Sequence, residues 1–248
     1  MLVKPVSIED IPALVRPLMR GFKALWCVAG GWALDLFLGQ VTRPHDDLEF
    51  AIFRQDQHLL RQHLRDWTFQ KVVEGRHLAW SADEGLKLPI HEIHAHLTKD
   101  PRLSFEFLLN ERTADDWVYR REGRIRMPLE RAIVRHVSGL PILCPAIVLL
   151  FKAKNHRPKD DRDFQKLRNA LGREQWQWLE ASLRICHPAH PWLAQLQTTN
   201  GAHQSARGKA YLRKRKRGRL SGVRVCGPRP GLPHTLPPSA TPNGAADA

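Results

Sequence analysis

The sequence predicts a mixed α/β fold, followed by a helical C-terminal half and a disordered basic tail. Up to about residue 140, short apolar runs of strand length alternate with apolar residues at helical spacing, and the pattern then becomes mainly helical. From residue 200 onward the chain is basic and rich in Pro and Gly. We therefore divide it into residues 1–140, residues 141–199 and residues 200–248.

Two glycines join the first predicted strand to a helix. After an amphipathic helix over residues 7–22, the apolar run 26–29 has strand length, and the mostly apolar segment after Gly30 and Gly31 ends at Gly39. Glycines at a helix start let a ligand approach the backbone N–H groups, which favour phosphate together with the helix dipole. Gly30 and Gly31 are therefore candidate phosphate-binding residues.

Two carboxylates mark the second predicted strand, residues 48–53. Asp47 and Glu49 are two positions apart, so they would share one face of a strand. Carboxylates among apolar residues are costly unless a cation compensates them, and Mg²⁺ prefers carboxylates together with substrate phosphates. The pattern predicts magnesium-dependent nucleotide chemistry, and the alternative is an ordinary turn followed by an exposed strand face.

These residues resemble the nucleotidyltransferase superfamily that includes polymerase β. The similarity to its aminoglycoside- and lincosamide-modifying members rests on Gly30-Gly31-Trp32-Ala33-x-Asp35 with Thr42-Arg43-x-His45-x-Asp47-Leu48-Glu49. The resemblance implies a nucleotidyltransferase fold with two Mg²⁺ ions at Asp47 and Glu49. It also implies ATP or another nucleoside triphosphate as substrate, bound in part by Arg43, and a small-molecule hydroxyl acceptor such as an aminoglycoside-like antibiotic.

The superfamily takes a third carboxylate from a neighbouring strand. Glu106 lies in the apolar run 104–109, on the face opposite Phe105 and Phe107. By resemblance, Glu106 binds metal or serves as the general base, and Glu92 is the reserve candidate. The alternative for Glu106 is a structural carboxylate satisfied by an arginine or placed at a sheet edge.

Histidines cluster around Glu92. On a strand, Glu92, His94 and His96 would share a face. The order His-Glu-x-His differs from the His-Glu-x-x-His that places two imidazoles together on a helix. We therefore favour a surface position or a substrate contact over a dedicated metal site.

The helical half is expected to complete the cleft. Residues 145–154 begin with proline and are apolar almost all round, which predicts a buried helix with Lys152 and Lys154 near its end. By resemblance, these lysines reach the triphosphate. The family pattern has an acid after Pro145, and the chain departs from it with Ala146.

Two further helices are predicted beyond this one. The segment 156–164 leads into a helix, and residues 174–185 form another. In the resembling enzymes a Lys-Asp-x-x-Asp-Phe stretch completes the cleft. By that match, Asp160 and Asp163 order the loop or face the acceptor.

Composition and charge limit the classes of function that remain possible. No run approaches membrane-spanning length, no signal peptide is evident, and the four cysteines signal neither a zinc site nor a disulfide framework, so a cytoplasmic protein is expected. Most of the net charge of +14 belongs to the tail, where ten Lys/Arg and one acidic residue follow position 199. Such a tail can attract nucleic acid non-specifically, but we favour the alternative that it is an extension without a role. The alternatives to a small-molecule enzyme are therefore a toxin-type enzyme acting on RNA or protein, and a decayed enzyme that binds nucleic acid.

Overall fold

A mixed β-sheet forms the framework of residues 7–196, which are the residues that the computed structural model describes. Its strands are β1 (Trp26–Val28), β2 (Glu49–Phe53), β3 (Trp67–Val73), β4 (Arg76–Ala79), β5 (Glu92–Leu97), β6 (Asp100–Arg112), β7 (Asp116–Val118), β8 (Arg126–Pro128), β9 (Ile133–Arg135) and β10 (Pro141–Leu143). The main path runs β4-β3-β5-β6-β2-β1-β10-β9, and β7 pairs with β6 and β8. The β2–β6 and β1–β10 pairs are parallel, and the other pairs are antiparallel.

Helices flank this sheet. They are α1 (Asp10–Met19), α2 (Gly30–Leu38), α3 (Gln57–His63), α4 (Leu129–Ala132), α5 (Pro145–Ala153), α6 (Pro158–Leu167) and α7 (Arg173–Cys186). The predicted mixed α/β fold with a mainly helical C-terminal part is confirmed. Within residues 7–196, no helix combines the length and the apolar character needed to cross a membrane.

The helix pair α2 and α5 lies at the centre of the core. α2 packs on α5, β2 and β10, while α6 and α7 pack on α5. Proline begins α5 without the loss of a helical hydrogen bond, because the N–H of a first-turn residue has no intrahelical acceptor. The strand ends and helix starts that carry the candidate site are therefore held by buried apolar packing.

The predicted strand–glycine–helix unit is present, with two differences. α2 begins at Gly30, whose φ angle of +58° is left-handed, so the predicted tight turn coincides with the first residue of the helix. β2 begins at Glu49, so Asp47 lies in the loop before it. Asp47 and Glu49 nevertheless line the same cavity, and a common strand face for the two stays a prediction.

Several strands are not predicted by the sequence. β9 and β10 have three residues each, too few to show a periodic pattern, and β3 is likewise absent from the predicted elements. The proposed division between residues 140 and 141 falls just before β10, which pairs with β1 inside the sheet. The division into three parts stays a prediction, and residues 200–248 lie outside the described residues.

Candidate active site

Glu49 lies against the first residue of α2. A β-carbon built on Gly30 would be 1.3 Å from Oε2 of Glu49, so no other residue fits there without displacing the carboxylate. The φ angle of Gly30 is +58°, a left-handed conformation that glycine adopts at little cost. The backbone N–H of Gly31 donates a hydrogen bond to the Glu49 side chain. The helix start predicted to bind phosphate thus holds a carboxylate of the same chain.

Gly31 permits a second close approach. Its β-carbon would lie 2.3 Å from Nδ1 of His45 and 2.8 Å from Nη2 of Arg43. Nε2 of His45 is 2.7 Å from Oδ2 of the buried Asp35, and Thr42 donates to the same carboxylate from its backbone N–H and its hydroxyl. Burial alone would raise the pKa of Asp35, but the hydrogen bonds from His45 and Thr42 hold it below its usual range. Asp35 therefore positions the loop that carries Arg43 and His45.

A buried ion-pair network joins this loop to α5 and α6. Arg43 donates to both carboxylate oxygens of Asp163 at 3.2 Å. Nζ of Lys152 lies 2.8 Å from Asp160 and 3.1 Å from Asp163. Burial opposes ionisation of Asp160, yet hydrogen bonds from Arg157 and Lys152 lower its pKa to about 2. Arg43 and Lys152, which the resemblance assigns to the nucleotide, are thus engaged by carboxylates of the chain.

A row of polar side chains crosses the sheet beside Glu49. Glu49 is paired in register with Glu106 on β6, and Glu106 is paired with His94 on β5. Directly paired residues lie on the same face of a sheet. Nε2 of His94 is 2.7 Å from Oε1 of Glu92 and 4.0 Å from Oε1 of Glu106. Glu106 thus lies next to Glu49, as predicted for the third carboxylate, and Glu92 lies one strand farther away.

Negative charge accumulates along this row. Burial, followed by the charge of Asp47, raises the pKa of Glu106 to about 7, against the opposing effect of His94. Burial and Asp47 also raise the pKa of Glu49. Several carboxylates that hinder one another's ionisation are typical of a cation-binding or acid–base site.

A cavity of about 520 Å³ opens over the start of α2. Arg120 and Arg121 line it together with Phe151, and the guanidinium of Arg120 lies 4.6 Å from the centre of the Phe151 ring. Burial, followed by the charge of Arg121, lowers the pKa of Arg120 to about 10. Among the described residues, neither arginine has a salt-bridge partner, and the same holds for Lys154 on the cavity wall. The wall thus combines carboxylates with cations that form no salt bridge among these residues, although Arg121 donates a hydrogen bond to the Tyr119 hydroxyl.

The cavity brings together most of the site residues predicted from the sequence. These are Gly30, Gly31, Arg43, Asp47, Glu49, Lys152 and Lys154. Within the described chain, Glu106 and Ala146 are not part of the wall; Ala146 is fully buried in α5, so the departure from the family pattern lies in the core. Arg120 and Arg121 are not among the predicted site residues, although arginines beside a turn at Glu122 can line a phosphate or substrate groove.

The family comparison covers the centre of this site. Residues 13–100 match the family described as aminoglycoside-2''-adenylyltransferase, and the match includes the two glycines, Asp47 and Glu49. The match indicates a nucleotidyltransferase enzyme. The resemblance predicted from the sequence is thereby confirmed, and Glu106 lies beyond the matched residues.

Three solved structures are similar to the chain at low sequence identity. ANT(2")-Ia in complex with adenylyl-2"-tobramycin is 13% identical with a TM-score of 0.47, over 73% of this chain and 98% of its own. The lincosamide antibiotic adenylyltransferase LnuA, bound to lincomycin, is 15% identical with a TM-score of 0.46, over 68% and 100%. A nucleotidyltransferase-like protein from Paracoccidioides brasiliensis is 14% identical with a TM-score of 0.42, over 79% and 95%. No protein of curated function matches the sequence.

Proposed function

We propose that the chain transfers AMP from ATP to a hydroxyl of a small antibiotic-type acceptor, with release of pyrophosphate. The observation that supports this best is the meeting of Asp47, Glu49 and the start of α2 at one cavity. All three lie within the segment that matches the adenylyltransferase family. The description of that family supports a small-molecule acceptor, and nucleic-acid binding by the tail stays a prediction.

The carboxylates suit a magnesium ion. Mg²⁺ takes oxygen ligands, normally one or two carboxylates together with substrate phosphates. Asp47 and Glu49 offer carboxylates at the cavity, and Glu106 adds one from the adjacent strand. Burial, followed by the negative charge of Asp47, raises the pKa of both Glu49 and Glu106, and a bound cation would offset both effects. When bound, Mg²⁺ would neutralise the triphosphate and activate the acceptor hydroxyl and the pyrophosphate leaving group.

Glu106 suits the role of proton acceptor. A general base works best when its pKa lies near the operating pH, and the pKa of Glu106 is about 7. Its neighbour His94 shares a hydrogen bond with Glu92 and limits the negative charge around Glu106. We expect Glu106 to take the proton of the acceptor hydroxyl during transfer.

The unpaired cations of the cavity suit the triphosphate. Arg120, Arg121 and Lys154 line the cavity without a salt bridge inside residues 7–196, so their charge is available to phosphate oxygens. Arg43 and Lys152 instead hold the loop and α6 in place through their carboxylate partners. We expect the first group to contact the nucleotide and the second to shape its site.

Calorimetric titration of ATP, with and without Mg²⁺, tests the proposal. Wild type is expected to bind ATP only with Mg²⁺, and the double variant Asp47→Asn/Glu49→Gln is expected to lose this binding. Glu130→Gln is the matched control because it removes an exposed carboxylate of α4 outside the cavity. Pyrophosphate release is then measured with a panel of hydroxyl-bearing antibiotics. Binding that is independent of Mg²⁺, or unchanged in the double variant, contradicts the proposal.

A further inference from the structure

Three potential metal ligands meet on the sheet beside the candidate active site. One oxygen each of Glu92 and Glu106 and one ring nitrogen of His94 all lie within 4.8 Å of one another. Their side chains are 16% to 31% exposed, so an ion could enter from solvent. Glu92 and His94 do not line the cavity over α2, and in the proposed transfer of AMP they act only through the charge around Glu106.

The distances suit a single ion between the three side chains. Two ligands bound at about 2.0–2.2 Å from one metal lie about 3–4 Å apart, depending on the angle between them. Nε2 of His94 is 4.0 Å from Oε1 of Glu106 and 2.7 Å from Oε1 of Glu92. The shorter distance belongs to a hydrogen bond, whose proton a metal would replace while the two side chains move slightly apart.

Charge and neighbours also favour a cation here. The negative charges of Asp47, Glu49 and Glu92 act on Glu106. His94, when it is protonated, offers one opposing positive charge. The ring of His77 on β4 lies with its centre 4.4 Å from that of His94, so a second imidazole is close to the cluster. A dication would offset more of this negative charge than one protonated histidine does.

We infer that Glu92, His94 and Glu106 form a site for one divalent transition-metal ion, with the imidazole of His77 beside it. Imidazole nitrogen together with carboxylate oxygen suits ions such as Co²⁺, Zn²⁺ and Mn²⁺, whereas Mg²⁺ selects oxygen ligands alone. The site goes beyond the proposed function and does not depend on it, although Glu106 belongs to both groups of residues. It differs from the magnesium site at Asp47 and Glu49 in its nitrogen ligand.

Titration of the metal-free full-length chain with Co²⁺, in the presence of excess Mg²⁺, tests this inference. The visible absorption of Co²⁺ reports nitrogen and oxygen coordination, and calorimetry gives the affinity and the number of ions. The variants are His94→Ala and Glu92→Gln, and the second keeps the size of the side chain. His58→Ala, which removes an exposed histidine of α3, is the matched control, and Glu49→Gln separates this site from the magnesium site. Circular dichroism establishes that each variant is folded.

Wild type is expected to bind one Co²⁺ ion that excess Mg²⁺ does not displace. His94→Ala and Glu92→Gln should each weaken Co²⁺ binding by more than about tenfold, since loss of even an outer partner of a metal ligand costs about that much. His58→Ala and Glu49→Gln should bind Co²⁺ as wild type does, even where Glu49→Gln loses ATP binding. Equal Co²⁺ affinity of wild type and both folded variants, or displacement by Mg²⁺, overturns the inference.

Discussion

Substitution of Gly30 by alanine tests whether the start of α2 positions the Glu49 carboxylate. The new β-carbon would lie 1.3 Å from Oε2 of Glu49, so the side chain must leave its place and lose the hydrogen bond from the Gly31 N–H. Gly39 supplies a matched control at the other end of the same helix. Its φ angle is +69°, similar to the +58° of Gly30, but a β-carbon there would have no atom within 4 Å.

The two variants should differ in stability by the steric and hydrogen-bond contributions at Glu49. An alanine forced into the left-handed conformation costs about 1–2 kcal/mol, which applies to Gly30→Ala and Gly39→Ala alike. The lost hydrogen bond to the Glu49 carboxylate costs about 1.5–3 kcal/mol more in Gly30→Ala alone. For a domain of this size, each kcal/mol lowers the Tm by about 2–4 °C, so Gly30→Ala should melt below Gly39→Ala.

Urea unfolding and calorimetric titration of ATP with Mg²⁺ measure both effects. We expect ATP affinity to fall by more than about tenfold in Gly30→Ala, which corresponds to about 1.4 kcal/mol of lost binding free energy. Gly39→Ala should bind ATP as wild type does, despite its lower stability. If folded Gly30→Ala binds ATP as tightly as Gly39→Ala, Glu49 does not depend on the glycine and the reasoning is refuted.

Three further predictions follow from the electrostatics of the site. First, the pKa of Glu106 is raised to about 7, so protons compete with Mg²⁺ below that pH. Mg²⁺ affinity should therefore fall by up to about tenfold per pH unit below about 7. Calorimetry in buffers of different ionisation enthalpy should detect the proton release on Mg²⁺ binding. A Mg²⁺ affinity that does not change with pH would contradict this. Second, Asp163→Asn leaves Arg43 with a neutral partner in a buried network and should lower the free energy of unfolding by about 3 kcal/mol. The control Glu174→Gln, at an exposed ion pair, should change the free energy of unfolding by less than about 1 kcal/mol. Equal effects of the two variants in urea unfolding would count against the network. Third, Arg120→Ala should weaken ATP binding by about tenfold or more, since a hydrogen bond to a charged group contributes about 1.5–3 kcal/mol. Substitution of the exposed Arg126 by alanine serves as the control. Equal ATP affinities of the two variants would show that Arg120 does not bind phosphate.

Local patterns in the sequence predict much of the candidate site. The apolar run 26–29 and the two glycines predict a strand followed by a helix start, and the structure contains both. The alternation around Glu106 predicts its face, and the register of β2 with β6 then places it beside Glu49. These features depend on neighbours within a few positions, which is the range over which periodicity and turn chemistry act.

Contacts between segments that lie far apart in the sequence cannot be predicted from such local patterns. Arg43 and Asp163 form an ion pair although they lie 120 positions apart, and neither residue type nor spacing indicates which arginine meets which carboxylate. The sequence groups His96 with Glu92 and His94 because the three share a strand face. The pairing of β5 with β6 instead brings Glu106 to Glu92 and His94. Strand register across a sheet decides such clusters, and a single strand carries no record of it.

The position of β10 in the sheet has a consequence for how the chain folds. β10 pairs in parallel with β1, so Ile142 must find Val28 although most of the sheet lies between them in sequence. Such non-local pairings are slow to form because the loop must close before the contact stabilises it. Until then β1 presents an unpaired edge, which is the feature that promotes aggregation of partly folded chains. The cavity wall contributed by α5 follows β10 directly, so binding competence should arise late in folding, and a chain truncated at residue 140 should associate through β1.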